Sequence, residues 1–186
     1  DFIEGFLDSF EQNLISANYT NLNTGYRKYI DVGSFIDFFL LNEITHNVDA
    51  YRASTYFFKN KNSQGGKIVM GPLWDFNYSL GNASFCGSND TNGWAGCTAN
   101  NTLWWFDRLS TENYYRDQLR CRWTNLYYSL LSPYNINNYL DSIGAYLEVP
   151  AARHFVKWPI LGTDLNNGHT SSNYYQEITW MKNWYR

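Results

Sequence analysis

Two aspartates, Asp49 and Asp75, are the residues of this chain best placed to do chemistry. Asp75 stands in Gly71-Pro72-Leu73-Trp74-Asp75-Phe76-Asn77, an acid between a tryptophan and a phenylalanine just after a Gly-Pro turn. Carboxylates are seldom buried unless paired or bound to a cation. Asp75 therefore either caps a local turn, or its apolar neighbours hold a metal-binding carboxylate in place. Asp49 lies in a polar stretch, Asn47-Val48-Asp49-Ala50-Tyr51-Arg52-Ala53. Two carboxylates at one mouth repel each other unless a cation neutralises them. Mg²⁺ suits such a pair, because it takes hard oxygen ligands and shares them with substrate phosphates.

The segments between and around the two acids predict how they are positioned. Phe2, Ile3, Phe6, Leu7, Phe10, Leu14 and Ile15 recur at the helical period, predicting a helix over 1–17 that the Asn/Thr-rich run 18–25 ends. Asp31 or Ser34 can cap a second helix running to about His46. Its apolar residues Phe35, Ile36, Phe38, Phe39, Leu40, Leu41 and Ile44 cover most of its circumference, as in a central, buried helix. STYFFKN and KIVMG, separated by the turn-rich NKNSQGG, predict a hairpin from about Thr55 to Met70. A hairpin returns its ends to one place, so Asp49 and Asp75 should open into one cleft, about 4–8 Å apart, a span that one or two metal ions bridge. Residues 81–101 read as a surface loop. Helical patterns follow at 103–109, 112–131, 135–148, 150–156 and 171–185, with Pro133, Pro150 and Pro159 as punctuation. The fold class expected is α+β, mainly α.

At 186 residues, with 44% hydrophobic and 17% charged residues, the chain suits one globular domain with a real core. A net charge of −3 and the lack of a dense Lys/Arg run argue against nucleic-acid binding. The longest apolar stretch, Phe35 to Leu41, is broken by Asp37 and too short to span a bilayer. No signal peptide is visible. The start at Asp1, already in a helical pattern, suggests a fragment or processed product.

Aromatic residues reach 19%, and Asn is abundant. Such a composition is common on carbohydrate-handling surfaces, although most of the rings should fill the core. Trp104-Trp105 and the pair Trp180 and Trp184 invite a glycan contact, with core packing the better expectation. Cys86 and Cys97 flank a loop rich in Gly, Asn and Ser. A disulfide closing it, in an oxidising compartment, and a pair of buried free thiols both fit. Cys121 reads as a buried core residue in a helix. The Asn-x-Ser/Thr sequons at Asn18, Asn77, Asn82, Asn89 and Asn100 reflect the Asn-rich composition. His46, His154 and His169 lack metal-ligand spacing, which argues against zinc.

The order of parts, a buried helix, a loop with an Asp, a hairpin and then Asp-Phe, is also that of the catalytic lobe of a protein kinase. The ordinary wording is absent: His46-Asn47-Val48-Asp49 is not His-Arg-Asp, Asn77 replaces Gly after Asp75-Phe76, and Ser54 stands where Asn is usual five residues after the catalytic Asp. FLLNEITHNVDAYRASTYFFK followed by GKIVMGPLWDFNYSLGN instead resembles the CotH kinase family, the spore-coat-protein-H-like atypical kinases. The resemblance covers residues 30–82 closely and the C-terminal helices only in general pattern.

The resemblance implies a protein-kinase-like C-terminal lobe without the N-terminal nucleotide-binding lobe, so that the isolated piece would be inactive. It implies phosphoryl transfer from Mg-ATP to Ser or Thr of a secreted or cell-envelope protein. Asp49 matches the family's loop aspartate, which orients or deprotonates the acceptor hydroxyl, and Asp75 matches its metal-binding aspartate. Asn77 stands where the family often has a second acid, one negative charge fewer for a metal. Asn42 and Glu43 can orient the Asp49 loop by hydrogen bonding. Asn47 and Arg52 flank Asp49, and Arg52 can contact a phosphate or, the stronger expectation, form a salt bridge. Ser54 is a candidate weak metal contact, although starting a strand is reason enough for a Ser. Trp74 and Phe76 should pack so as to fix Asp75. The rival is a non-catalytic, pseudokinase-like extracellular module whose aromatic surface binds glycans or partner proteins.

Overall fold

A computed structural model of the protein describes residues 2–95 and 103–185. Six α-helices and one two-stranded antiparallel sheet are found among them: α1 Phe2–Ile15, α2 Val32–Thr45, β1 Phe57–Lys59, β2 Ile68–Met70, α3 Leu103–Leu109, α4 Asn113–Tyr127, α5 Pro133–Lys157 and α6 Tyr174–Trp184. This is the α+β, mainly α class expected. The chain forms two compact units, the first of residues 1–42, 49–75 and 98–123, the second of residues 43–48, 76–97 and 124–186.

In the first unit, α2 starts where the sequence says it should. The Asp31 carboxylate accepts from the Ser34 N–H at 2.8 Å, satisfying one of the donors that every helix N-terminus leaves free. Ser34 Oγ in turn accepts from the Met70 N–H at 3.1 Å, fastening β2 to the first turn of α2. The hairpin pairs Phe57 with Met70 and Lys59 with Ile68, and Ile30 adds a parallel bridge to Ile68. The apolar circumference of α2 is used: Phe35, Ile36, Phe38, Phe39 and Leu40 are all buried. Their rings join Phe10, Trp105 and Phe106 in a chain of aromatic contacts with centroids 5.3–6.3 Å apart. Asp37, on the exposed side, meets Arg122 of α4 in a two-pronged ion pair at 2.7 and 3.1 Å.

In the second unit, α5 and α6 pack together. Gly144, buried on α5, leaves room for Ile178, and the Tyr174 hydroxyl donates to the Gly144 carbonyl at 3.2 Å. Ser132 caps α5, with Pro133 at its first position. The two helices expected at 135–148 and 150–156 are one, running through Pro150. Proline leaves the carbonyl four residues earlier without an intrahelical donor. That carbonyl belongs to Tyr146, which is exposed along with Pro150, so water can serve it and the helix need not end.

Cys121 is exposed on α4, contrary to the core position expected. The residues of α4 that turn inward are Tyr115, Leu119, Trp123 and Leu126, spaced as one helical stripe, and Cys121 lies off it. Of the tryptophans, Trp105 and Trp184 are buried, whereas Trp104 is exposed. No helix of the described residues is long and apolar enough to cross a membrane.

Candidate functional site

Asp49 sits in a tight turn just after α2. Its carbonyl accepts from the N–H groups of Arg52, Ala53 and Ser54 at 3.1–3.3 Å, so the turn closes on the residue that carries the acid. Tyr51, two residues on, is the anchor. It is 1% exposed and its ring contacts Phe38, Phe39 and Phe106 at 5.3–6.3 Å, in the aromatic core under the turn. Its φ of 47° places a bulky residue in the left-handed region, a conformation that survives only when surrounding packing imposes it. Sequence reasoning missed Tyr51; the signal was a single large ring inside an otherwise polar run. The Asp49 side chain is 16% exposed, and its Oδ1 accepts from Arg52 Nη2 at 2.7 Å. Arg52 thus forms the salt bridge that the sequence favoured.

Asp75 is presented differently. It is exposed, its φ is 62°, and among the described residues it has neither hydrogen bond nor ion pair. The turn-cap reading therefore fails, since a cap is a carboxylate that accepts a backbone N–H. Asp is one of the few residues that tolerates left-handed backbone, and here that conformation holds a free carboxylate outward. The frame is not the packed one expected: Trp74 is 58% exposed and touches Tyr56 edge-on with centroids 6.4 Å apart. The hairpin brings this segment back as expected, with the Gly71 N–H donating to the Tyr56 carbonyl at 2.8 Å. Four of the six non-glycine residues with positive φ among the described residues, His46, Tyr51, Asp75 and Leu80, lie in the two loops that carry the candidate acids.

The supporting residues divide between the two units. In the first, Asn42 is buried and its amide donates to the Phe38 carbonyl at 2.9 Å. Ser54 is buried too, in the turn rather than at the start of a strand, because β1 begins only at Phe57. In the second, Glu43, His46 and Asn47 are all buried, and Asn77 is exposed with its carbonyl accepting from the Asn82 amide at 2.7 Å. The Glu43 carboxylate accepts from the Ala95 N–H at 2.7 Å. Burial pushes the His46 pKa down, against hydrogen bonds to the backbone of Gly93 and Asp90 that work the other way. Two backbone bonds tie the stretch before Asp49 to the stretch after Asp75: Leu80 N–H to the Thr45 carbonyl at 2.7 Å, and Val48 N–H to the Tyr78 carbonyl at 3.3 Å.

Cys86 is held in a disulfide, and Cys97 lies outside the described residues, as does the sequon at Asn100. Among the described residues no group of three or more His, Cys, Asp or Glu side chains gathers to hold a metal. Mg²⁺ does not need one, since it commonly takes one or two carboxylates and completes its shell with water and substrate phosphate. A free, exposed Asp75 fits that donor set.

The sequence profile described as CotH kinase protein matches residues 1–186. No curated protein and no solved structure matches the chain. With its characteristic stretches on the two loops just described, and the profile spanning every residue, the chain belongs to the CotH kinase family.

Proposed function

We propose that the chain is the kinase-like catalytic lobe of an atypical protein kinase that moves the γ-phosphoryl group of Mg-ATP to a Ser or Thr hydroxyl of a secreted or cell-envelope protein. The observation that carries this reading is Asp75, an exposed carboxylate in left-handed backbone with no partner among the described residues. A carboxylate presented outward that no other part of the fold engages points to a role outside the fold's own stability. Asp49 accepts a hydrogen bond from the acceptor hydroxyl and takes its proton as that oxygen attacks the γ-phosphorus and the bond to the bridging oxygen breaks, releasing ADP. Its turn, closed by three N–H groups and anchored by Tyr51, holds that carboxylate in register. Asp75 would hold Mg²⁺, which when bound would neutralise charge on the substrate phosphates. Arg52 orients the Asp49 carboxylate until the hydroxyl arrives. Catalysis of this kind is positioning plus charge neutralisation, so each carboxylate should matter greatly.

Two observations favour a second reading, a non-catalytic binding module. The Asp49 Oδ1 is already engaged by Arg52, and Asn77 supplies no second acid beside Asp75. Phosphate transfer from γ-labelled ATP by the full-length protein separates the two. Asp49→Asn should lower kcat by roughly 10²-fold or more, the scale of general-base catalysis. Transfer by Asp49→Asn equal to that of the parent protein would refute the assignment, and no transfer by either would favour the binding module.

A further inference from the structure

Helix α1 carries more apolar side chains than its core face uses. Phe10 and Leu14 are buried, whereas Ile3 and Leu7 stay partly open. With Phe57 of β1 and Trp105 of α3 they line an open groove of about 570 Å³, contained within the first unit. The groove is acidic along one side, because Glu4, Asp8 and Glu11 recur at helical spacing beside Ile3 and Leu7. Glu11 is held in place by the buried Trp105, whose Nε1 donates to its Oε1 at 2.9 Å. Asp8 is exposed and has neither hydrogen bond nor ion pair among the described residues.

The strand that supplies Phe57 is an edge strand. The Tyr56 carbonyl accepts from the Gly71 N–H and the Asn60 N–H donates to the Lys67 carbonyl, both at 2.8 Å. Tyr56, Phe58 and Asn60 therefore turn their backbone groups toward β2, and Phe57 and Lys59 turn theirs away from it. Among the described residues those two N–H groups and two carbonyls have no partner. A row of this kind can take up an extended peptide as an added strand. Tyr56 and Phe58, on the opposite face of β1 from Phe57, are each 50% exposed.

We propose that the groove and the β1 edge together bind an extended segment of a partner protein in which basic and apolar residues alternate. Side chains of an added strand alternate between faces as those of β1 do. One set falls on the Phe57 face, over the groove. There a Lys or Arg lays its aliphatic stem along Leu7 and Trp105 and its charge against Asp8 and Glu11. The other set falls with Tyr56 and Phe58, where an apolar side chain covers exposed rings. Charge decides the occupant, since an acidic segment would meet three carboxylates. Lys59, the cation on this face of β1, is drawn over the Phe2 and Phe6 rings at 5.5 and 4.7 Å and donates to Asn60 and Asn62. The inference does not depend on phosphoryl transfer.

The test is fluorescence anisotropy with the full-length protein and a labelled peptide of about eight residues alternating Arg and Val, long enough to cover the strand. Asp8→Asn with Glu11→Gln removes two charges but keeps an acceptor for Trp105, and should raise Kd by about 10-fold, the scale of two rim charges. Asp107→Asn with Asp117→Asn removes the same charge from exposed positions on α3 and α4 and should leave Kd unchanged. Methylating the amide nitrogens of one alternate set of peptide residues should abolish binding by the parent protein, and methylating the other set should be tolerated, because only one set can face β1. Equal weakening by the two double variants would reduce the interaction to net-charge attraction, and equal effects of the two methylation patterns would remove the added strand. Either result overturns the proposal. Absence of binding overturns it too, and a dimer of the full-length protein that Asp8→Asn with Glu11→Gln dissociates in sedimentation would then assign the groove to a second copy.

Discussion

Asp75→Asn separates function from stability with a single atom pair, and the structure says how large each effect should be. The carboxylate accepts no hydrogen bond and makes no ion pair among the described residues, so the amide breaks nothing. Asn tolerates left-handed backbone at least as well as Asp, so φ 62° is no obstacle. The stability change should stay within about 0.5 kcal/mol, the range of surface substitutions that touch no special feature. At ~2–4 °C per kcal/mol for a chain of this size, Tm should move by no more than about 2 °C. Asp75→Ala would be a poorer probe, because placing Ala at positive φ adds backbone strain on the order of 1 kcal/mol to whatever the charge contributes. Against this flat stability, losing the full negative charge proposed to hold Mg²⁺ should lower kcat by about 10²–10³-fold, the cost of deleting one preorganised electrostatic group. Differential scanning calorimetry and a labelled-ATP transfer assay on the same preparations read the two effects. A Tm drop well beyond 5 °C would show Asp75 to be structural, and transfer undiminished in Asp75→Asn would remove it from the metal site.

Three further outcomes follow from the packing. Glu112, accepting from the buried Tyr26 hydroxyl and the Arg27 guanidinium, holds a pair whose side chains are only 14% and 11% exposed. Glu112→Ala strands Arg27 and should cost about 3–5 kcal/mol, visible as a fall in urea midpoint, while a change within 1 kcal/mol would refute the buried-pair account. His46 has its pKa held below the usual 6.5 by burial, so its neutral form contributes stability that is complete above pH 6.5 and fades as pH falls through its folded pKa. The Tm advantage of the parent over His46→Gln should therefore shrink from pH 7.5 to pH 5, and a gap that widens on acidification would be the wrong sign. Cys121, exposed and outside any disulfide, should react with a thiol reagent in the native protein, whereas Cys86 should react only after a reductant is added; a silent Cys121 would contradict its place on the outer face of α4.

Much of the scaffold was legible because its causes are local. The apolar period of α1, the Asp31 cap, the all-round apolarity of α2 and the turn-rich NKNSQGG between two β-type runs each depend on neighbours a few residues away, and the structure has α1, α2 and the hairpin there. The order of the two acid-bearing loops likewise belongs to the sequence, and it sufficed for the family resemblance that the profile bears out. The burial of individual side chains was another matter. Cys121 reads as core and is exposed, because an α-helix of mixed composition does not announce which stripe finds a partner until other helices pack on it. Pro150 reads as a stop and is crossed, on an exposed stretch where the residue whose carbonyl it orphans, Tyr146, is itself exposed. The aromatic frame of Asp75 reads as packed, yet Trp74 lies open, while Tyr51, in a polar run, is the ring that reaches the core. Residue types and spacing determine which side chains are available and which elements form. Tertiary packing determines which rings are buried and which lie open, and which helical stripe faces the core, because those depend on contacts between residues far apart in the chain, whereas the Arg52–Asp49 pair, three residues apart, was legible in the sequence.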